Sequence, residues 1–290
     1  MLRIAVTGAT GFIGKKVVAE LCKIANLEIL ACGRSESKLA LLQSQYSLHT
    51  LCCDLQTSRE DWFSFLGSPD ILIHLAWGHL GQFQSPAHRS EELGIHANFI
   101  VKMIQSGLQS LTVAGTCFEY GIQDGCLCEE HPIRPVTEYG IAKSELYQLL
   151  ENTLTKYSCN FKWLRYFYMY GEGQSPRTLL ALLDSAIDRG DTTFPMSGGL
   201  QIRDYLPVET VAHYTVQAAL QNKIHGAINV CSGKPISILD LVTERVAMRR
   251  SSIVLDTSYY PYADYEPMKF WGDTKKLHQL EPLGWMPYDR

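Results

Sequence analysis

The sequence has no strong excess of charge of either sign. Its 26 lysines and arginines against 30 aspartates and glutamates give a formal net charge of −4. With a pI of about 6.1, the chain has no overall attraction to nucleic acid or to an anionic membrane surface. We therefore expect neither of them as a partner.

Long hydrophobic runs are also absent from the sequence. No apolar stretch approaches the roughly 20 residues that a helix needs to cross a bilayer. The opening residues MLRIAVTG lead directly into a strand pattern and a glycine turn, unlike the apolar segment and cleavage site of a signal peptide. We expect a cytoplasmic protein with no membrane partner.

The spacing of metal ligands is missing as well. The nine cysteines are scattered, and the pair Cys126 and Cys128 is not followed by a second CxxC or an HxxxH pattern. We predict no metal site, and reduced thiols as in other cytosolic proteins. His74 lies inside an apolar run, which predicts a core histidine with satisfied hydrogen bonds.

What the sequence does contain is a regular alternation of strand and helix patterns. Short apolar runs typical of buried parallel strands occupy residues 2–8, 27–33, 48–54, 70–77, 111–116 and 161–171. Helical patterns occupy residues 12–24, 61–66, 91–108 and 138–156. Since right-handed crossovers place helices on both faces of such a sheet, the pattern predicts an α/β fold with a doubly wound parallel sheet, the Rossmann arrangement.

After Gly171 the alternation of strand and helix patterns becomes less regular. It predicts a helix over residues 177–189, a second helix after RDYLPVE, a strand at GAINVCSG, and a small irregular cap at the C-terminus. We predict two parts on this basis. Residues 1–171 and 204–233 form the dinucleotide-binding domain, and residues 172–203 and 234–290 form a smaller substrate-binding region.

A glycine-rich turn follows the first strand. TGATGFIG (7–14) allows a tight turn, brings backbone N–H groups against a pyrophosphate, and lets the helix pack closely on the sheet. The helix N-terminus adds partial positive charge. This context predicts a dinucleotide site whose cofactor contacts come from Gly8, Thr10, Gly11, Phe12, Ile13 and Gly14.

The end of the second strand indicates which dinucleotide binds. An acidic residue there would bind the ribose 2′-hydroxyl of NAD, but this sequence has Arg34 and Ser35. Because a guanidinium pairs with a 2′-phosphate in a bidentate manner, we predict NADP(H). The alternatives are a solvated loop arginine and a ribose contact from Glu36. Asp54, which ends the third strand, is a candidate for the adenine amino group.

The segment TEYGIAKSE places a phenol and an ammonium on one face of a helix. Tyr139 and Lys143 are separated by four residues, which is one helical turn. We expect Lys143 to lower the pKa of the phenol and to reach a nicotinamide ribose. Together with Thr116 at the end of a strand, Tyr139 is then a proton donor or acceptor that works near neutral pH.

At this point the sequence resembles the extended short-chain dehydrogenase/reductases, in particular their nucleotide-sugar epimerase, dehydratase and reductase branch. The resemblance covers nearly the whole chain. The motifs that carry it are TGATGFIG, CDL (53–55), HLAW (74–77), Asn98, GTCFEYG (115–121), YGIAK (139–143), RYFYMYG (165–171) and RDYLPVE (203–209).

The resemblance implies a role for each matching residue. Thr116 hydrogen-bonds the substrate oxygen, Tyr139 moves the proton, and Lys143 binds the ribose. Arg203 grips the substrate diphosphate, and TTFPM, which contains Phe194, lines the base. The motifs also add Leu55, Leu75 and Ala76 to the cofactor contacts. Homodimerisation through the helices near residues 91–108 and 138–156 is common in the family, although Leu146, Leu149 and Leu150 can equally face the chain's own sheet.

Three residues depart from the family pattern. Trp77 stands where a small residue is usual and is expected to narrow the nicotinamide side of the pocket. Tyr168 replaces an asparagine, which removes one expected contact to the substrate phosphates. Cys117 follows Thr116 and is interpreted as a small buried hydrophobe. The candidate substrate-binding residues are therefore Trp77, Thr116, Cys117, Tyr168, Phe194 and Arg203.

Three functions remain open at the level of the sequence. The first is NADPH-dependent reduction of the C4 keto group of a dTDP- or CDP-linked 4-keto-6-deoxyhexose for bacterial surface polysaccharide. The stretches YGEGQ and YEPMKFWGD resemble those of the bacterial reductases that carry out this reaction. The second is an NAD-dependent nucleotide-sugar 4-epimerase, and the third is a non-enzymatic sensor of NADP(H). Arg34 favours the first over the second. The intact Thr116, Tyr139 and Lys143 argue against a sensor.

Overall fold

A computed structural model of the chain describes residues 1–57 and 59–280. Its strands are β1 (Leu2–Thr7), β2 (Leu27–Gly33), β3 (His49–Cys52), β4 (Ile71–His74), β5 (Ser110–Thr116), β6 (Gly125–Leu127), β7 (Asn160–Tyr166), β8 (Tyr168–Tyr170), β9 (Thr193–Pro195), β10 (Ile202–Pro207), β11 (Gly226–Val230), β12 (Pro235–Ser237), β13 (Val254–Asp256) and β14 (Phe270–Gly272).

The helices are α1 (Phe12–Leu21), α2 (Glu36–Gln45), α3 (Trp62–Phe65), α4 (Leu93–Gln105), α5 (Glu138–Leu154), α6 (Leu179–Arg189), α7 (Val208–Leu220), α8 (Ile238–Met248) and α9 (Lys275–His278). A π-helical turn at His88–Glu92 runs into α4, and a 3-10 turn at Cys117–Tyr120 follows β5. In the described part of the chain, no helix is long and apolar enough to cross a membrane.

The central sheet has seven strands in the order β11-β7-β5-β4-β1-β2-β3, and every neighbouring pair is parallel. This confirms the predicted doubly wound fold. The strand order reverses beside β1, whose last residue Thr7 pairs with Cys32 on one side and His74 on the other. A crevice outside the carboxyl ends of the strands is expected at this switch point, and it is where ligands bind in such sheets.

Apolar side chains cover both faces of the sheet. On one face, α4 and α5 contribute Phe99, Met103 and Leu146, all fully buried. On the other face, Val17 of α1 and Val216 of α7 are equally buried. Burying a side chain of this size stabilises the fold by about 1.5–3 kcal/mol. The helices thus form a buried layer on each face of the sheet.

The strand predicted over residues 161–171 is two strands in two sheets. β7 lies in the central sheet, whereas β8 pairs with β10 in a separate three-stranded sheet. The break falls at Phe167, whose N–H still bonds the Val230 carbonyl at 3.1 Å. As a result, Tyr168 leaves the central sheet and pairs with Tyr205.

Two helices depart from the prediction. The helix α2 was not predicted, because only Leu39 and Leu42 of its residues are buried and no long apolar stripe marks it. The C-terminal region was predicted to be irregular, but it contains α8, whose Ile238 and Val242 pack into a small core of their own. Both helices begin at a serine whose hydroxyl accepts a backbone N–H.

The structure also shows where the leucines of α5 point. Leu146 and Leu150 are fully buried in the chain's own core, while Leu149 is exposed. The alternative in which these leucines face the chain's own sheet is therefore correct for Leu146 and Leu150. Homodimerisation stays a prediction.

Candidate active site

The glycine turn between β1 and α1 leaves no room for side chains. A Cβ at Gly8, where φ is +72°, would lie 2.7 Å from the Ala76 nitrogen, and one at Gly14 would lie 2.1 Å from the Gly8 carbonyl oxygen. The N-cap of α1 is Gly11, which provides no side-chain cap, so the first N–H groups of the helix have no side-chain partner there. This turn fits a pyrophosphate, whose oxygens can take those N–H groups.

A cavity of about 1000 Å³ lies along the carboxyl edge of the sheet, beside this turn. Most of the predicted site residues line it, namely Gly8, Thr10, Gly11, Phe12, Ile13, Gly14, Arg34, Asp54, Leu55, Leu75, Ala76, Trp77, Thr116, Cys117, Tyr139 and Tyr168. Ser35, Lys143, Phe194 and Arg203 are not part of the lining. The glycine turn and the predicted proton donor therefore face one common space.

Tyr139 enters the cavity from the first turn of α5. Thr137 caps this helix by accepting the Gly140 N–H at 3.0 Å, and the Tyr139 N–H bonds the Phe83 carbonyl at 3.0 Å. The phenol ring packs against His88, with centroids 5.1 Å apart. Burial raises the pKa of Tyr139 well above its usual range, although a hydrogen bond to Thr116 opposes this. At neutral pH the phenol is a proton donor.

Thr116 is fixed by a buried carboxylate that the sequence analysis did not single out. Its hydroxyl accepts the Phe118 N–H at 3.2 Å, and its own N–H bonds Glu119 at 2.8 Å. Glu119 also accepts from Arg165 and from the Trp163 indole, each at 2.8 Å. Thr116 and Glu119 form a capping box. The T-x-x-E spacing in TCFE is typical of this motif, so the contact between Glu119 and the Thr116 N–H could have been predicted from the sequence.

Lys143 lies one turn beyond Tyr139 and is almost fully buried. Its ammonium bonds the Ala114 carbonyl at 2.9 Å and sits 3.7 Å from the centroid of the Trp77 ring. Burial lowers the pKa of Lys143 to about 7, against the attraction of Glu119 and Glu92. In the described structure Trp77 forms the cavity wall and Lys143 lies behind it.

One expectation for this pair needs correction, and a second stays a prediction. Lys143 was predicted to lower the pKa of Tyr139, but burial dominates and the pKa of the phenol is raised. Lys143 was also predicted to reach a nicotinamide ribose. Its ammonium bonds the Ala114 carbonyl and lies over the face of Trp77, and the ribose contact stays a prediction.

The opposite end of the cavity carries positive charge. Arg34 and Lys38 both line it, and neither side chain forms an ion pair with the residues that the structure describes. Lys38 was missed because α2 was missed. Ser35 does not line the cavity, and its hydroxyl caps α2 by accepting the Lys38 N–H at 3.4 Å. Asp54 lines the cavity and accepts the Gln56 N–H at 3.1 Å.

Two predicted substrate-binding residues lie outside the cavity lining. The Arg203 guanidinium donates to Glu266 at 2.7 and 3.3 Å and to the Ile202 carbonyl at 2.9 Å. Phe194 packs in the small core beside α6 and α8. The sequence gives no signal for the partner Glu266, which lies 63 residues from Arg203.

Arg177 was not predicted, whereas Cys117 and His74 were interpreted correctly. Arg177, in the loop before α6, lines the cavity. Cys117 is buried, and burial raises the pKa of its thiol, in agreement with a small buried hydrophobe. His74 is fully buried with both ring nitrogens hydrogen-bonded, as predicted. Within the described ranges, no group of three or more potential metal ligands comes together.

Comparison with known proteins adds several relatives. Residues 4–231 match the model of the NAD dependent epimerase/dehydratase family. A dTDP-6-deoxy-L-talose 4-dehydrogenase (NAD(+)) of Aggregatibacter actinomycetemcomitans is 28% identical over 272 residues, which cover 93% of this chain and 99% of the relative. A GDP-6-deoxy-D-talose 4-dehydrogenase of the same organism is 26% identical and covers 98% of this chain and 92% of its own.

Solved structures share the same fold. A UDP-N-acetylglucosamine 4-epimerase from Methanobrevibacter ruminantium superposes with a TM-score of 0.85 at 21% identity, covering 96% of this chain and 91% of the other. A UDP-glucuronic acid 4-epimerase from Bacillus cereus gives a TM-score of 0.81 at 23% identity, covering 98% and 94%. The family match spans most of the chain, and the parallel sheet with its glycine turn agrees with it. The chain belongs to the NAD dependent epimerase/dehydratase family.

Proposed function

We propose that this protein is an oxidoreductase that reduces the C4 ketone of a nucleotide-linked 4-keto-6-deoxyhexose, with NADPH as the reductant. The observation that carries the proposal is the common cavity in which Tyr139 and Thr116 face the glycine turn. Two relatives that match nearly the whole chain are named as 4-dehydrogenases of nucleotide-linked 6-deoxytaloses, and such a reaction run in reverse is reduction at C4.

The residues of the site divide the chemistry between them. The nicotinamide cofactor, when bound at the glycine turn, supplies the hydride. Tyr139 donates the proton to the oxygen at C4, since its raised pKa keeps the phenol protonated. Thr116 hydrogen-bonds the same oxygen and polarises the carbonyl. Lys143 lies behind Trp77 with a pKa lowered to about 7, and its charged form favours the phenolate left on Tyr139.

Two cations support NADPH over NADH. Arg34 and Lys38 line the end of the cavity next to β2, where a 2′-phosphate of the adenosine ribose would lie. An Arg–phosphate contact can be bidentate, and the lysine adds a second charge. The name of one relative includes NAD(+). Whether this chain prefers NADPH or NADH therefore tests the roles of Arg34 and Lys38 directly.

The smaller region is proposed to bind the nucleotide sugar. Gln174, Arg177 and Tyr205 line the cavity, together with Tyr168 on β8. The proposed division is between residues 1–171 with 204–233 and residues 172–203 with 234–290, and Gln174 and Arg177 belong to the second part whereas Tyr168 and Tyr205 belong to the first. Arg177 is the better candidate for the substrate diphosphate, because Glu266 occupies Arg203. The proposal also includes a dTDP- or CDP-linked substrate and a role in the biosynthesis of bacterial surface polysaccharide.

A panel of nucleotide-linked 4-keto-6-deoxy sugars, incubated with NADPH or NADH, tests the function. We expect stoichiometric oxidation of NADPH with at least one dTDP- or CDP-linked member, and a product whose C4 configuration can be read by NMR. Reduction of none of the panel, with the cofactor bound, would contradict the proposal.

A 4-epimerase is the second candidate. A putative UDP-glucose 4-epimerase of Methanocaldococcus jannaschii is 30% identical over 167 residues, which cover 55% of this chain. An epimerase oxidises and re-reduces its substrate and returns the cofactor to its starting state. Conversion of a nucleotide sugar that carries a C4 hydroxyl, with no added cofactor and no net change in nicotinamide absorbance, would favour this candidate.

A further inference from the structure

Trp77 lines the cavity and covers the ammonium of Lys143. Three neighbours fix its indole. The ring stacks on His96 with centroids 4.6 Å apart and planes 15° apart, and the indole N–H donates to Nδ1 of His88 at 3.0 Å. The Lys143 ammonium lies 3.7 Å from the ring centroid. The indole is therefore held in an orientation that presents its face to the lysine.

The bond from Trp77 determines which nitrogen of His88 carries the hydrogen. An indole only donates, so Nδ1 of His88 accepts, and Nε2 carries the hydrogen and donates to the Gln82 carbonyl at 3.1 Å. His88 exposes no surface, and its ring packs 5.1 Å from that of Tyr139. With both ring nitrogens bonded, His88 anchors the indole beside the proton donor.

The ammonium of Lys143 has few other partners, although it is almost fully buried. It donates to the Ala114 carbonyl at 2.9 Å. Glu119 and Glu92 attract it, but in the described part of the chain neither forms an ion pair with it. The π-electrons of an indole face attract a cation, and this attraction grows when both groups are shielded from water. Trp77 therefore offsets part of the cost of burying the charge.

The titratable groups around Lys143 come from several elements. They are Glu119 of the 3-10 turn, Glu92 and His88 of the π-helical turn, His74 of β4, His96 of α4 and Tyr139 of α5. Burial lowers the pKa of the three histidines and Lys143 lowers it further, so they are neutral at pH 7 and above. Burial raises the pKa of Tyr139. Of these histidines, the tyrosine and the lysine, Lys143, with a pKa of about 7, is the group that loses its proton as the pH rises from 7.

We propose that Trp77 is a positioning residue that holds Lys143 in its charged form and thereby sets the upper pH limit of proton donation by Tyr139. In reduction, Tyr139 gives its proton to the C4 oxygen and becomes a phenolate. The charged lysine, 5.9 Å from the centroid of the Tyr139 ring, stabilises that phenolate, and a neutral lysine does not. The pH limit rests on the proposed redox function, whereas the effect of Trp77 on Lys143 does not.

Replacement of Trp77 alone by mono-, di- and trifluorinated tryptophan tests the contact without removing the ring. Fluorine withdraws electron density from the ring face, while the indole N–H remains for His88. The pKa of Lys143 is read by ¹⁵N NMR of its Nζ, with the signal assigned by its loss in Lys143→Met. We expect this pKa to fall stepwise as fluorine is added. The same pKa across the whole series would overturn the proposal.

Two ordinary substitutions of Trp77 extend this test to catalysis. Trp77→Leu removes the ring, whereas Trp77→Phe keeps an aromatic face but loses the bond to His88. We expect the pKa of Lys143 to fall by about one pH unit or more in Trp77→Leu and by less in Trp77→Phe. The pH above which the rate of ketone reduction declines should move down by the same amount. A merely structural role would lower the rate at every pH and leave that limit in place.

Trp271→Leu is the matched control for the loss of a tryptophan next to a lysine. The Lys269 ammonium lies 5.7 Å from the centroid of the Trp271 ring, and neither residue lines the cavity. This variant should keep the wild-type pKa of Lys143 and the wild-type pH limit. A limit that moves as far in Trp271→Leu as in Trp77→Leu would overturn the assignment to Trp77.

The outcomes distinguish this inference from the function on which its second half rests. An active reductase whose pH limit and Lys143 pKa are the same with tryptophan, leucine or fluorinated tryptophan at position 77 would overturn the inference alone. A lysine pKa that follows Trp77 in a protein that reduces no 4-keto sugar would overturn the proposed function and support the contact. Where Trp77→Leu fails to fold, the fluorinated series decides, because it keeps the shape of the ring.

Discussion

At the scale of single residues, burial decides the acid–base behaviour of the site more than neighbouring charge does. Burial raises the pKa of Tyr139 and lowers that of Lys143 to about 7, so each group is biased toward its neutral form. The sequence shows the two residues one turn apart, but it cannot show how deeply they are buried. The resulting pair is a protonated phenol next to an amine that is poised to change charge near neutral pH.

Tyr139→Phe removes the proposed proton donor while keeping the ring that packs on His88. We expect turnover to fall by about 10²–10⁴-fold, which is the usual contribution of a positioned general acid. The Kd of NADPH should hardly change, because the glycine turn is untouched. Steady-state kinetics and a fluorescence titration of NADPH measure the two effects.

Tyr147→Phe is the matched control for that substitution. Tyr147 lies on the same helix, and its hydroxyl bonds Glu151 at 2.5 Å, away from the cavity. Equal turnover in Tyr139→Phe and Tyr147→Phe would remove Tyr139 from the mechanism.

At the scale of elements, strands and glycine turns were predicted better than the packing around them. The strand β2 was predicted to the residue, and the bounds of β5 differ from the prediction by one residue, because apolar runs and glycines mark buried parallel strands. The helix α2 and the partner of Arg203 were missed. Two buried leucines leave too weak a pattern for a helix, and the ion pair between Arg203 and Glu266 joins segments far apart in the chain.

The turn from β2 into α2 carries the prediction about the cofactor. Arg34→Ala and Lys38→Ala should each weaken NADPH binding about tenfold or more, since a hydrogen bond to a charged group contributes about 1.5–3 kcal/mol. NADH, which lacks the 2′-phosphate, should be affected much less. The Kd of both cofactors for each variant measures the difference.

Lys23→Ala provides a control for the loss of a surface cation. Lys23 is exposed beyond the far end of α1, where it contacts Glu20 and does not line the cavity. It should leave both Kd values unchanged. A wild-type preference for NADH, or an unchanged preference in both cavity variants, would overturn the assignment of NADPH.

At the scale of the whole molecule, the parallel sheet places the cavity and a second buried lysine at opposite ends of its strands. The carboxyl ends of the strands hold the cavity, whereas Lys162 is fully buried near the other ends, where it bonds Ser110 at 2.9 Å. Burial lowers the pKa of Lys162 to about 7 from an ordinary value of 10.5. Between these two values the unfolded chain binds more protons than the folded one, so the contribution of this group to stability rises with pH.

Lys162→Met should therefore stabilise the protein most at the pH where burial of the charged lysine costs the most stability. Methionine fills a similar volume without a charge, so the free energy of unfolding should rise at pH 7 and change less at pH 9. Denaturant unfolding at the two pH values should show that the wild-type gain from pH 7 to pH 9 shrinks by about 1–2 kcal/mol in the variant. Exposed Lys223→Met controls for the change in net charge. If the two variants behave alike, Lys162 is already charged in the folded protein at pH 9, and the sheet tolerates its ammonium at no cost to stability.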